Sequence, residues 1–330
     1  MAEKLPSRRE DFSEWYNQVV LRAGLADYGP ARGTMIVRPY GYALWENIQA
    51  DLDRRFKAHG VKNAFFPTFI PLSYIEREAE HVKGFAPNLW LVTYGGGEEL
   101  EEKYAVRPTS ETTVNEAVRR WVQSYRDLPV LLNLWNSAFR YEMRTRLFLR
   151  TSEFLWQEGH TSHATFDEAN RFALDMLQVY RDMYESQAAM PGIAGRKSEA
   201  EKFPGAHTTF TYESMMGDTR ALQACTSHNL GDNFARAFGI QYLDRDNKLQ
   251  YVWQTSWGFS TRSVGGILMT HGDDKGLILP PRLAPIQIVV VPIYRKEEER
   301  SAVLVAAERI KKDLDHFRVE LDAREGLTPG

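Results

Sequence analysis

The sequence predicts an α+β protein: a main domain with helices flanking a largely antiparallel sheet, followed by the start of a smaller α/β domain. Helical periodicity alternates with hairpin-like strand pairs through residues 1–282, as in an antiparallel sheet rather than one of single strands threaded between helices. The stretch LPPRLAPIQ then shifts the composition. Beyond it IQIVVVPIY, a helical pattern over 296–316 and RVELD make one strand-helix-strand crossover, which implies parallel pairing. A single crossover cannot cover both faces of a parallel sheet. Residues 283–330 are therefore expected to be the incomplete N-terminal part of an α/β domain, with an exposed apolar edge near Ile288 and Val290.

Along the chain, a first helix is predicted over 42–59, where Trp45, Ile48, Leu52 and Phe56 recur at helical spacing and Gly60 follows the last turn. VKNAFFPTFIPL is strand-like but broken by Pro67 and Pro71, which suits an edge or an interface. RPTSE signals a helix start, and Val114, Ala117, Val118, Trp121, Val122 and Tyr125 form the stripe of a helix over 111–125. A third helix opens at Thr165 and Glu168, a capping box, and buries Phe172, Met176, Tyr180 and Met183. Residues 191–206 are a connection rich in Gly, Pro and charge, and short strands are predicted at 208–213, 220–225, 240–243 and 249–257.

With 41 basic and 44 acidic side chains the net charge is −3, which neither marks nor excludes a nucleic-acid binder. The single cysteine, Cys225, rules out an internal disulfide and a cysteine-rich zinc site. No apolar run is long enough to cross a membrane and the N-terminus lacks the apolar segment of a secretory signal, so a cytoplasmic location is expected.

Function is concentrated in residues 139–160, FRYEMRTRLFLRTSEFLWQEGH. Successive strand residues face opposite sides. A hairpin with its connection at 143–149 would gather Arg140, Glu142, Arg150, Ser152, Phe154, Trp156, Glu158 and His160 on one face. That face suits a polyanion, a flat ring and an ammonium; cross-strand Arg/Glu pairing on a wet surface is the plainer reading of Arg140 and Glu142 alone. Residues 249–262, LQYVWQTSWGFSTR, repeat the alternation. Gln254, Ser256, Gly258, Ser260 and Arg262 share a side whose small residues admit a ligand to the backbone and whose arginine suits a phosphate.

Together these segments resemble the class II aminoacyl-tRNA synthetases, and as whole stretches the prolyl-tRNA synthetases. The first family motif is similar to the 42–59 helix and the strand ending at Pro67, the second to Phe139, Arg140, Glu142 and FLRTSEFLWQEGH, the third to the segment from SWGFSTR to GLILPPR. RPTSE and TSHNLGDNF point to the prolyl members. Little more than a helix, short strands and a loop fit between the second and third motifs, so the chain resembles the archaeal and eukaryotic type without an editing insertion.

The resemblance implies a catalytic domain over 1–282, the start of an anticodon-binding domain over 283–330, and formation of prolyl-adenylate from L-proline and ATP with Mg²⁺, then prolyl transfer to tRNA(Pro). It implies a homodimer with the first motif at its interface. It places Arg140, Arg262 and Arg282 in catalysis. Nucleotide contacts are expected from Arg140, Glu142, Arg150, Thr151, Phe154, Gln223, Thr226, Ser260 and Arg262. Proline contacts are expected from Thr109, Glu111, Arg140, Trp156, Glu158, His160, Phe203, His228, Ser256 and Trp257. Glu111 also fits as a helix-start acid, and His160 and His228 as hydrogen-bonded core histidines. Among relatives, a threonyl-type zinc site at Cys225 and His228 is the competing reading, but no convincing metal-ligand set is visible.

Overall fold

The computed structural model describes residues 5–76 and 88–326. In chain order its strands are β1 (Ala26–Tyr28), β2 (Met35–Val37), β3 (Lys62–Asn63), β4 (Phe69–Pro71), β5 (Trp90–Gly95) and β6 (Glu98–Val106). They continue with β7 (Val130–Phe139), β8 (Glu153–His163), β9 (Ile193–Arg196), β10 (Thr208–Met215) and β11 (Ala221–Gly231). The last are β12 (Gln241–Leu243), β13 (Leu249–Tyr251), β14 (Trp253–Ser260), β15 (Ile288–Val290) and β16 (Val319–Leu321). Seven of these form the main sheet in the order β3-β7-β8-β14-β11-β10-β9. Its pairs are antiparallel apart from β3 with β7.

One face of this sheet carries the main core. Helices Pro39–Ala58 and Phe166–Ser186 lay Trp45, Phe56, Met176, Tyr180, Met183 and Tyr184 against Trp257 and Phe259 of β14. The third helix starts as its sequence requires: Thr165 accepts from the Glu168 backbone, and Glu168 accepts in turn from the Ala164 N–H. Closeness of packing shows at Gly159, paired with Trp257, whose indole lies across the glycine. A Cβ added there would sit 2.1 Å from the indole Cε2. Gly159→Ala is expected to cost about 1–3 kcal/mol or more, read as a lowered urea midpoint. Gly258→Ala, one position along β14 and facing away from this core, has no neighbour nearer than 3.7 Å and should leave the midpoint nearly unchanged.

Several sequence expectations shift. The connection between β7 and β8 is not 143–149 but 140–152, since β7 ends at Phe139 and β8 begins at Glu153. Burial of Leu147 and Phe148 in the core draws this segment inward, with Phe148 at φ 61°, so strand pairing stops earlier than its alternation suggested. The 111–125 helix ends at Trp121, and Tyr125 opens a separate 3-10 turn. The strand around Pro67 divides: β3 joins the main sheet, while β4 joins β5 and β6 in a three-stranded sheet.

Residues 164–252 are occupied by helix Phe166–Ser186, β9 to β11, helix Asn233–Phe238 and the β12–β13 hairpin. Near the C-terminus, β15 and β16 pair in parallel around helix Glu297–Asp313. Val289 and Val291 are exposed, whereas Ile288 and Val290 are half-buried, so strand alternation moves the expected apolar edge by one residue.

Candidate active site

The face of the main sheet opposite the core borders a cavity of about 300 Å³. Alternation along β8 turns Phe154, Trp156, Glu158 and His160 toward it, while Gln157 on the other side accepts from the Tyr180 hydroxyl beneath the sheet. From β14 come Ser256, Gly258 and Ser260, and Arg262 opens helix Arg262–His271 at the end of that strand. β11 supplies Gln223, Thr226 and His228.

Gln223 and Thr226 differ in parity, so a regular strand would send them to opposite faces. Between Tyr212 and Glu213 the β10–β11 register shifts, which pairs Glu213 with Gln223 and restores Gln223 to the cavity face. Such bulges re-aim side chains.

At one end the cavity is acidic. Thr109 and Glu111 arrive from the start of helix Glu111–Trp121, and the Thr109 hydroxyl bridges Glu111 and Glu158. Glu158 also accepts from the Ser110 backbone at 2.9 Å, the Ser110 hydroxyl, Asn136 Nδ2 at 2.9 Å and His160 Nε2 at 3.2 Å. Burial pushes the Glu158 carboxyl up, but the hydrogen bond and charge of His160, with Ser110 and Asn136, outweigh it and hold it at about 2. Burial pulls His160 down, yet hydrogen bonding to Glu158 and the charges of Glu111 and Glu158 leave it raised, which favours the imidazolium. His228 differs: burial, aided by Lys197 and His160, lowers it to about 3. Its neutral ring meets the Thr209 hydroxyl through Nδ1 at 2.9 Å and lies 4.6 Å from the Phe203 ring.

The other end is cationic and aromatic. Arg140 donates from Nε and Nη2 to the Pro108 carbonyl at 3.2 and 3.1 Å, and its guanidinium sits 5.4 Å from the rings of both Phe154 and Trp156. Trp156 is fixed by donating to Asn136 Oδ1. Arg262 donates from Nε to the Leu149 carbonyl at 3.1 Å. Burial lowers both arginines, a cost that a bound anion would offset.

Five predicted residues stand apart. Glu142 and Arg150 pair with each other at 2.6 Å without lining the cavity, although Glu142 lies close enough to act electrostatically on Arg140 and Arg262. Thr151 is buried, donates to the Glu153 carbonyl at 2.7 Å and borders a separate cleft with residues 28–34. Arg282 does not line the cavity: its side chain is exposed and donates to the Ser186 carbonyl at 3.0 Å, where the Pro280–Pro281 segment carries it. Trp257 borders the cavity, but its indole lies in the core on the opposite face. It cannot shape the cavity with that ring.

Sequence reasoning missed Ser110, Asn136, Thr209 and Lys197. Ser110 stood inside RPTSE; the others had no periodic or motif signal. It also missed that Glu111, Glu158 and His160 bring one ligand atom each within 4.8 Å of one another, a possible metal-binding trio. The donor set does not fit a metal ion, since both Glu158 oxygens already accept hydrogen bonds and His160 Nε2 faces Glu158 rather than a shared centre.

The sheet thus presents one cavity lined by buried carboxylates together with two anchored arginines. Residues 92–271 match the model of the tRNA synthetase class II core domain (G, H, P, S and T). The chain is 58% identical over 325 residues to a chloroplastic/mitochondrial proline--tRNA ligase of Arabidopsis thaliana, covering 98% of this chain and 60% of that one. It is 55% identical to a proline--tRNA ligase of Chloroherpeton thalassium, covering 100% of this chain and 69% of the relative, and 56% identical to one of Rubrobacter xylanophilus, covering 99% and 69%. The chain thus spans between three-fifths and seven-tenths of the length of these relatives. The chain belongs to the proline--tRNA ligases of the class II tRNA synthetase family.

Proposed function

We propose that this chain activates L-proline with ATP, brought as its Mg²⁺ complex, and transfers the prolyl group to the 3′ end of tRNA(Pro). The single observation carrying this is one cavity lined by carboxylates for an ammonium and by cationic and aromatic groups for a nucleotide, with Arg140 within electrostatic reach of both Glu111 and Arg262. In the first step a carboxylate oxygen of proline bonds to the α-phosphorus as the bond to pyrophosphate breaks, its electron pair leaving with pyrophosphate. No protein nucleophile is required. The protein's task is to align two anions and stabilise the charge of the transition state.

In this reading Glu111, Thr109 and Glu158 hold the secondary ammonium of proline, while Trp156, Phe203 and His228 enclose its ring. The Ser256 hydroxyl, buried with no protein partner, faces the cavity and is available to the substrate. Arg140 links carboxylate and α-phosphate, Phe154 stacks on adenine, and Gln223, Thr226, Ser260 and Arg262 complete the nucleotide site. Glu142, Arg150 and Thr151 would join them only if the 140–152 segment closes over the nucleotide. Proline-dependent exchange of pyrophosphate into ATP tests the reading; folded protein that shows none, with proline and MgATP saturating, overturns it.

The same reading assigns 1–282 to catalysis and 283–330 to an anticodon-binding α/β domain, and makes the protein a homodimer. Large apolar side chains exposed on and beside β3 to β6, Phe65 at 80% and Phe69 at 55% among them, support an interface at the first motif. Sedimentation should give a dimer at micromolar concentration; an active monomer would refute that part.

A further inference from the structure

We infer that Lys197 is a substrate-binding cation of the reaction centre, its ammonium contacting the phosphate groups of the nucleotide. The inference rests on the proposed use of the cavity and adds a residue to it. Lys197 directly follows β9, and its backbone N–H donates to the Thr209 carbonyl at 2.9 Å, which keeps it beside β10. From there the side chain spans to β11, where Nζ donates to Gln223 Oε1, and it lines the cavity. Gln223 is the residue that the β-bulge returns to this face.

The neighbouring cations behave differently. Arg196 and Lys202 both pair with Glu199, at 3.4 and 2.7 Å. Lys197, half-buried, makes no ion pair among the described residues, and its partner is a neutral amide. An ammonium has three donors, and the Gln223 amide occupies one. Desolvating such a charge without an anion is unfavourable, and a phosphate would compensate it.

Arg140, Arg262 and Lys197 come from a loop, a helix start and a strand end, and all line the same cavity. The two arginines hold planar forks; a lysine adds a mobile point charge, the usual complement for phosphate oxygens. The Lys197 charge also acts on His228, but its hydrogen bond is to Gln223, which the proposed reading places at the nucleotide, and this contact assigns Lys197 to the nucleotide rather than the amino acid.

The test compares wild type, Lys197→Met, Lys197→Gln and Lys197→Arg in pyrophosphate exchange, with unchanged urea midpoints as the check on folding. Loss of a charged hydrogen bond predicts a rise of about tenfold or more in KM for ATP and pyrophosphate for the Met and Gln variants. KM for proline should stay within about twofold and Lys197→Arg should recover most of the loss. Wild-type KM for ATP in both neutral variants, or an effect confined to KM for proline, overturns the inference. Should wild type catalyse no exchange, the proposed function fails first. Titration with a non-hydrolysable ATP analogue then decides about Lys197 separately: tighter binding by wild type than by Lys197→Met supports the contact, and equal binding refutes it.

Discussion

Arg140→Ala is expected to slow adenylate formation by about a hundred- to a thousandfold, or ~2.7–4 kcal/mol, the range for removing a preorganised donor from a developing charge. Two of the guanidinium nitrogens are committed to the Pro108 carbonyl, which fixes the plane of the fork. Phe154 and Trp156 lie against it, each ring 5.4 Å from the guanidinium. In the proposed reading, an arginine held this way loses little freedom when proline and nucleotide meet at it, so its contribution is expected in the transition state. Arg140→Lys should recover only a small part, because an ammonium cannot bridge a carboxylate and a phosphate as a planar fork does. Single-turnover measurement of adenylate at saturating proline and ATP isolates this step. Near-normal rates in Arg140→Ala would remove Arg140 from the chemistry.

What the sequence disclosed follows from what repeats. Phe154, Trp156, Glu158 and His160 could be placed together because an uninterrupted strand has period two, and β8 is uninterrupted over them. The same rule should have turned Trp257 to the opposite side from Ser256 and Gly258, where its indole is found. Family resemblance had placed it in the pocket against its own parity. Gln223 shows the reverse case: periodicity alone would exclude it beside Thr226, and only a bulge, which depends on the pairing strand, restores it. Arg282 follows two prolines whose direction is set by packing against helices Pro39–Ala58 and Phe166–Ser186, through Leu283 with Asn47 and Arg282 with Ser186. Asn136 acquires its role from lying opposite Trp156 and near Glu158, a relation created by sheet register.

Glu158→Ala should carry the largest cost in stability. The change leaves the Ser110 N–H and hydroxyl, Asn136 and a buried His160 without their acceptor, and breaking a buried ion pair from one side costs about 3–5 kcal/mol. Glu158→Gln keeps the shape and one acceptor oxygen, so it should fold and allow the electrostatics to be read. In the wild type the Glu158 carboxyl is depressed from 4.5 to about 2. Its contribution is therefore present above pH 4.5 and lost as pH falls toward 2. His160 is raised from 6.5. Its contribution is complete below pH 6.5 and lost as pH rises through the raised value. The stability difference between wild type and Glu158→Gln should thus be greatest between pH 4.5 and 6.5 and shrink on both sides. Urea unfolding of both proteins across pH 3 to 8.5 measures it, and a difference independent of pH would show that the Glu158–His160 pair is not charged in the folded protein. Proline binding by Glu158→Gln should weaken as well, since Glu158 shares the Thr109 hydroxyl with Glu111 and so helps hold the carboxylate proposed to meet the substrate ammonium; unchanged KM for proline would confine Glu158 to a structural role.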